Sequence, residues 1–122
     1  MGKADFISQL QALGYSVQEL ANNFIGFDYE IPVGKFSGQK VSIAFQFDNG
    51  FPMNPPSGGP HFKPLLLPKT GGGGAHPFGA IHDSPLGGEW EYWSRPFKDW
   101  NKTDKTAKAY MAHIRNLLAT IP

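Results

Sequence analysis

The hydrophobic positions of this chain change period twice. From Asp5 to Leu13 they follow a helix, with Phe6, Leu10 and Leu13 on one face and Ile7 at its margin. Asp5 suits the helix start and Gly14 the stop. Residues 15–23 read as a turn with a partial strand. Period 2 then takes over. Ile25, Phe27, Tyr29 and Ile31 share one face of "FIGFDYEIP". In "KVSIAFQFD", Val41, Ile43, Phe45 and Phe47 share one face, and Lys40, Ser42, Gln46 and Asp48 the other. β-Branched and aromatic residues at that period predict half-buried antiparallel strands over 25–31 and 40–48. "VGKFSGQ" is the hairpin connection, and "DNG" at 48–50 ends the second strand.

The middle of the chain has no sustained period. "FPMNPPSGGPHFKPLLLP" carries prolines at 52, 55, 56, 60, 64 and 68. Proline has no N–H for a ladder, which excludes a central strand along this length and leaves room for one short edge strand in "PHFKPLLL". Pro55 and Pro56 predict a rigid turn. "KTGGGG" is not a phosphate loop: Lys69 and Thr70 precede the glycines instead of following them. It reads as a flexible connection. The helical period returns in Ala107, Tyr110, Met111, Ile114, Leu117, Leu118 and Ile121. This predicts a helix over 103–121, capped by Thr103 or Asp104, with Lys105, Lys108, Ala112 and Arg115 on its outer side. Such a helix needs an apolar surface, and the strands supply one. The expected fold is α+β: N-terminal helix, antiparallel meander, long irregular crossover, long C-terminal helix on the sheet.

Composition narrows the function. At 122 residues the chain is one expected domain, 1–122, large enough for a core without staples. A net charge of +1 with no Lys/Arg stripe argues against nucleic acid. The absence of cysteine excludes disulfides, thiolate zinc sites and thiol catalysis. No apolar run reaches membrane-spanning length. "MGKADF" lacks the Ser or Thr a myristoylation signal needs at position 6, and the N-terminus has no secretory pattern. A soluble, cytoplasmic protein is expected.

Candidate chemistry gathers in "HPFGAIHDSPLGGEWEYWSRPF", residues 76–97. His82 reads as a polar loop residue or, with Asp83 or Glu89 as orienter, as a base titrating near neutral pH. "HDS" at 82–84 has the letters of a hydrolase triad, but adjacent residues rarely converge, and no strand–GxSxG–helix context surrounds them. His61, His76, His82 and His113 fit no compact zinc spacing, so no metal and no cofactor are expected. His76 fits best as a loop anchor through a ring-to-backbone hydrogen bond. Trp90, Tyr92, Trp93 and Arg95 are candidate binding residues. Alternation in "WEYWSR" divides them. Trp93 is expected to bury against the C-terminal helix, and Trp90 and Arg95 to line a groove beside His82. Arg95 suits pairing with Glu89, Glu91 or Asp83, or with a partner's carboxylate.

The order of elements and several local signals together resemble the ubiquitin-conjugating enzyme family. "FPMNPP" at 51–56 stands where that family has a Tyr-Pro-x-x-Pro-Pro signal after its early strands. "HPF" at 76–78 keeps the first two residues of its His-Pro-Asn tripeptide. "GAIHD" at 79–83 is similar to its Gly-x-Ile-Cys segment with a nearby Asp, and "YWSRPF" to its Trp-Ser pair before the central helix. The tail more closely resembles a divergent bacterial branch associated with ubiquitin-like proteins, activating-enzyme-like proteins and JAB-type peptidases. The resemblance covers nearly the whole chain. It places His82 where the family has its catalytic cysteine, and Phe78 where it has the asparagine that stabilises the oxyanion. Thioester carriage needs a thiolate. The resemblance therefore implies a binding or scaffold subunit, partnered by a ubiquitin-like protein and an activating-enzyme-like protein. Two alternatives remain open at this level: an acyl-transfer or hydrolytic enzyme using His82 with Asp83 or His76, and a plain peptide-binding module.

Overall fold

The computed structural model describes residues 2–47, 50–66, 81–93 and 97–120. The elements run α1 (Lys3–Ala12), β1 (Gln18–Leu20), β2 (Phe24–Glu30), β3 (Lys40–Gln46), β4 (Ser57–Lys63), β5 (Ile81–Ser84), β6 (Gly87–Trp93), a 3₁₀ turn (Trp100–Lys102) and α2 (Ala107–Ala119). The strands form one sheet in the order β1-β2-β3-β4-β6-β5, every neighbouring pair antiparallel. The fold is α+β, with an N-terminal helix, an antiparallel sheet and a C-terminal helix. Among the described residues no helix is long and apolar enough to cross a membrane.

Alternation decides which sheet face the helices cover. Ile25, Phe27 and Tyr29 of β2 share a face with Val41, Ile43 and Phe45 of β3, and all six are buried. Phe62, Ile81 and Trp93 extend that layer across β4, β5 and β6. Phe6 of α1 and Tyr110 of α2 close it. Phe6 meets the rings of Phe45, Phe47, Phe51 and Tyr110 edge-on, with centroids 5.0–6.0 Å apart. Tyr110 packs edge-on against Phe45 at 4.9 Å. The helices are also tied to each other, since Gln9 of α1 accepts the first N–H of α2, from Ala107, at 2.7 Å.

Three sequence expectations are corrected. The crossover is not irregular throughout: residues 81–93 form the β5–β6 hairpin, and residues 67–80 lie outside the described residues. The strand after the proline-rich turn is interior, between β3 and β6, not at an edge. Pro60 is tolerated there because the β3–β4 register shifts between Ala44 and Gln46, which interrupts the ladder opposite it. Finally, α2 begins at Ala107, not at 103. Thr106 is its cap, accepting from Ala109 N at 3.2 Å, while Thr103 closes the preceding 3₁₀ turn by donating to Trp100 O at 2.7 Å. Pro55 and Pro56 lead from the turn at 51–54 directly into β4.

A buried carboxylate stands on the apolar face. Glu91 is fully buried, and its carboxylate accepts from the Trp93 indole N–H and, at 3.1 Å, from Leu66 N. A buried carboxylate is tolerable only with donors of this kind. It fixes both the Trp93 ring and the chain leaving β4.

Candidate functional site

Neither helix packs on the opposite face of the sheet, and the strand registers arrange that face in lines. One line runs Gly26, Ala44, His61, Tyr92, His82 across β2, β3, β4, β6 and β5. Its aromatic half is a small layer separate from the main core. Phe24 meets His61 edge-on at 4.8 Å, and His61 stacks on Tyr92 at 4.7 Å. His82 lies on the other side of Tyr92, 6.1 Å between centroids. Gly58 makes room for this layer. It holds a φ of 63°, and a Cβ there would run into the Tyr92 hydroxyl.

His61 and Ser84 form the closest pair of chemical groups here. His61 Nδ1 and Ser84 Oγ are 2.8 Å apart, both residues buried. Leu86 N already donates to Ser84 Oγ at 3.1 Å, so the hydroxyl proton is free to point at the imidazole. In that arrangement His61 is neutral, accepts at Nδ1 and carries its proton on Nε2. Burial pushes its pKa down to about 4. So weak a base does not activate a serine at neutral pH, and Ser84 is closed to substrate. The pair is a structural clasp between β4 and the tip of the β5–β6 hairpin.

The residues expected to carry chemistry are scattered. His82 is half-buried on β5 and faces Tyr92. Asp83 is exposed and next in the same strand, so its side chain leaves the opposite face from His82. It is not placed to orient that imidazole. His76 and Arg95 lie outside the described residues. Trp93 is fully buried, against Phe62 at 4.5 Å. Trp90 and Tyr92 share the outer face, as alternation requires. Trp90, however, lies beside Lys63 of β4, with Lys63 Nζ 5.5 Å from its ring centroid. Trp100 is buried and His113 stacks on Phe97 at 4.2 Å. Among the described residues no three His, Asp or Glu side chains gather as a metal site.

Sequence reasoning missed the second line on the outer face. Asp28, Ser42 and Lys63 are register partners on β2, β3 and β4, and Trp90 continues the line on β6. Ser42 Oγ donates to Asp28 Oδ1 at 3.3 Å. These residues border a groove of ≈ 430 Å³ that continues past Gly26 to Leu20 and Tyr15. The polar side of the β2 and β3 alternation was visible in the sequence. The alignment of Lys63 and Trp90 with it depends on β6 pairing with β4 rather than β5 lying there, which no local pattern encodes.

Fold and site together define an α+β protein with helices on one sheet face and a polar-aromatic groove on the other. No family model, curated protein or solved structure matches the chain.

Proposed function

We propose that this chain is a cysteine-less relative of the ubiquitin-conjugating enzymes that serves as a binding or scaffold subunit in a bacterial ubiquitin-like modification system. Its partners are a ubiquitin-like protein and an activating-enzyme-like protein. The reading rests on the motif order 51–56, 76–83 and 92–97, and on the helix–meander–helix succession around it. The observation that carries the non-enzymatic half is chemical: there is no thiol in the chain. The residue aligned with the nucleophile, His82, sits half-buried on a strand with Tyr92 beside it and Asp83 turned away.

The test combines the purified chain with such a ubiquitin-like protein, its activating enzyme and ATP. A non-covalent complex by calorimetry, with no hydroxylamine-labile adduct on gels, is the expected result. An adduct that hydroxylamine cleaves and that His82→Ala abolishes would establish acyl transfer on His82 and overturn the scaffold reading.

A further inference from the structure

The outer-face groove has a polarity that no group among the described residues satisfies. Lys63 is half-buried at one end and makes no ion pair among the described residues; its ammonium rests over the face of Trp90. The nearest acid in its line, Asp28, stands two strands away, about 10 Å, and is already engaged by the Ser42 hydroxyl. A partly desolvated cation on an aromatic face, without an anion, favours an anionic guest. From Lys63 the groove runs over Gly26 toward Leu20, Tyr15 and Ser16. Gly26 lets the Leu20 side chain close over β2: a Cβ there would stand 3.0 Å from Leu20 Cδ1. The far end thus sets Leu20 and Tyr15 beside the polar Ser16 and Gln18, and the near end is cationic.

We propose that this groove binds the C-terminal end of an extended peptide, its terminal carboxylate on Lys63. Asp28 and Ser42 take N–H donors upstream, and an apolar side chain rests against Leu20 and Tyr15. The distance fits. β4 to β1 is three strand spacings, about 14 Å, which an extended chain covers in about four residues. A phosphate-bearing guest fits less well, because among the described residues the groove offers one cation and no helix N-terminus. The inference does not depend on the partner being ubiquitin-like.

The probe is acetyl-Ala-Leu-Ala-Gly, as free acid and as C-terminal amide, titrated into isotope-labelled protein. The acid is expected to shift the backbone signals of Gly26 and Ser42 and the indole signal of Trp90. It should bind at least about tenfold more tightly than the amide, the ordinary value of a charge-assisted hydrogen bond. Lys63→Gln, which keeps most of the stem, should abolish the preference for the acid, and Lys63→Arg should retain it. Raising the ionic strength should weaken the acid and not the amide on the unaltered protein, a readout that needs no variant to fold. Equal binding of acid and amide, shifts confined to other surfaces, no saturable binding, or an acid preference that survives in Lys63→Gln would each overturn the proposal. Failure here with an intact complex in the conjugation assay would leave the scaffold reading standing, and the converse result would leave the groove standing.

Discussion

His61 shows how burial of one side chain sets a property of the whole protein. Above pH 6.5 the imidazole is neutral in both folded and unfolded chains and contributes no pH dependence. Between 6.5 and about 4 the unfolded chain takes up a proton that the folded one refuses, so stability falls as pH falls across that window. Below it both states are protonated and the slope levels off. The full loss is at most about 3 kcal/mol. His61→Phe keeps rings against Phe24 and Tyr92 and removes the proton site. Urea unfolding across this pH window should therefore give a flatter profile for the variant; an unchanged slope would mean that other groups carry it. Tyr110 presents the opposite case. Its hydroxyl is buried with no hydrogen-bond partner among the described residues, and desolvation raises its pKa well above the usual tyrosine value. An unpaired buried hydroxyl costs about 1–3 kcal/mol. Tyr110→Phe keeps the contacts with Phe6 and Phe45 and should leave the melting temperature unchanged or raise it. A clear fall would reveal a partner for the hydroxyl.

The elements were legible in proportion to how local their causes are. The helical repeat of α2 and the alternation of β2 and β3 stand in the sequence because one buried face imposes them. β4 was misread as an edge because proline argues against an interior strand, and only the register shift opposite Pro60 reconciles the two. The β5–β6 hairpin was hidden by its glycines and by short strands, although the alternation of Trp90, Glu91, Tyr92 and Trp93 was already its signature. Of the candidate site, the sorting of the tryptophans was readable, since alternation alone separates Trp90 from Trp93. The His61–Ser84 clasp was not, because it joins residues of different strands at a bulge. Within α2 the periodic pattern leaves Leu117 and Leu118 indistinguishable, and the structure separates them: Leu118 is fully buried and Leu117 half-buried. The carbonyl of Leu118 also lies where a Cβ on Gly34 would stand, so the β2–β3 connection rests on this last turn. Leu118→Ala should cost about 2–5 kcal/mol, and Leu117→Ala clearly less. Equal losses in denaturant titrations would mean that the last turn of α2 is rotated from the orientation described.

At the scale of the molecule, one apolar layer is shared by every large element. Phe6 and Leu10 of α1, Tyr110, Ile114 and Leu118 of α2, and residues of β2 to β6 form a single buried cluster. Trp93 and Trp100 belong to it from two sides, one packed on Phe62 of β4 and the other on Phe51 and Phe97 beside α2. Trp90 stands apart on the outer face with Lys63. No element in this arrangement has a core of its own, so none gains by folding alone, and loss of one exposes the apolar face of the next. Unfolding should then be a single transition. The test follows two variants, Trp90→Phe with Trp100→Phe and Trp90→Phe with Trp93→Phe, each leaving one core indole as reporter. Within each variant the fluorescence transition should coincide with that of far-ultraviolet circular dichroism. A reporter that changes before the backbone signal would divide the sheet from the helical layer. It would also relocate the outer-face groove, since the groove is rigid only if the strands that border it melt together with the core beneath them.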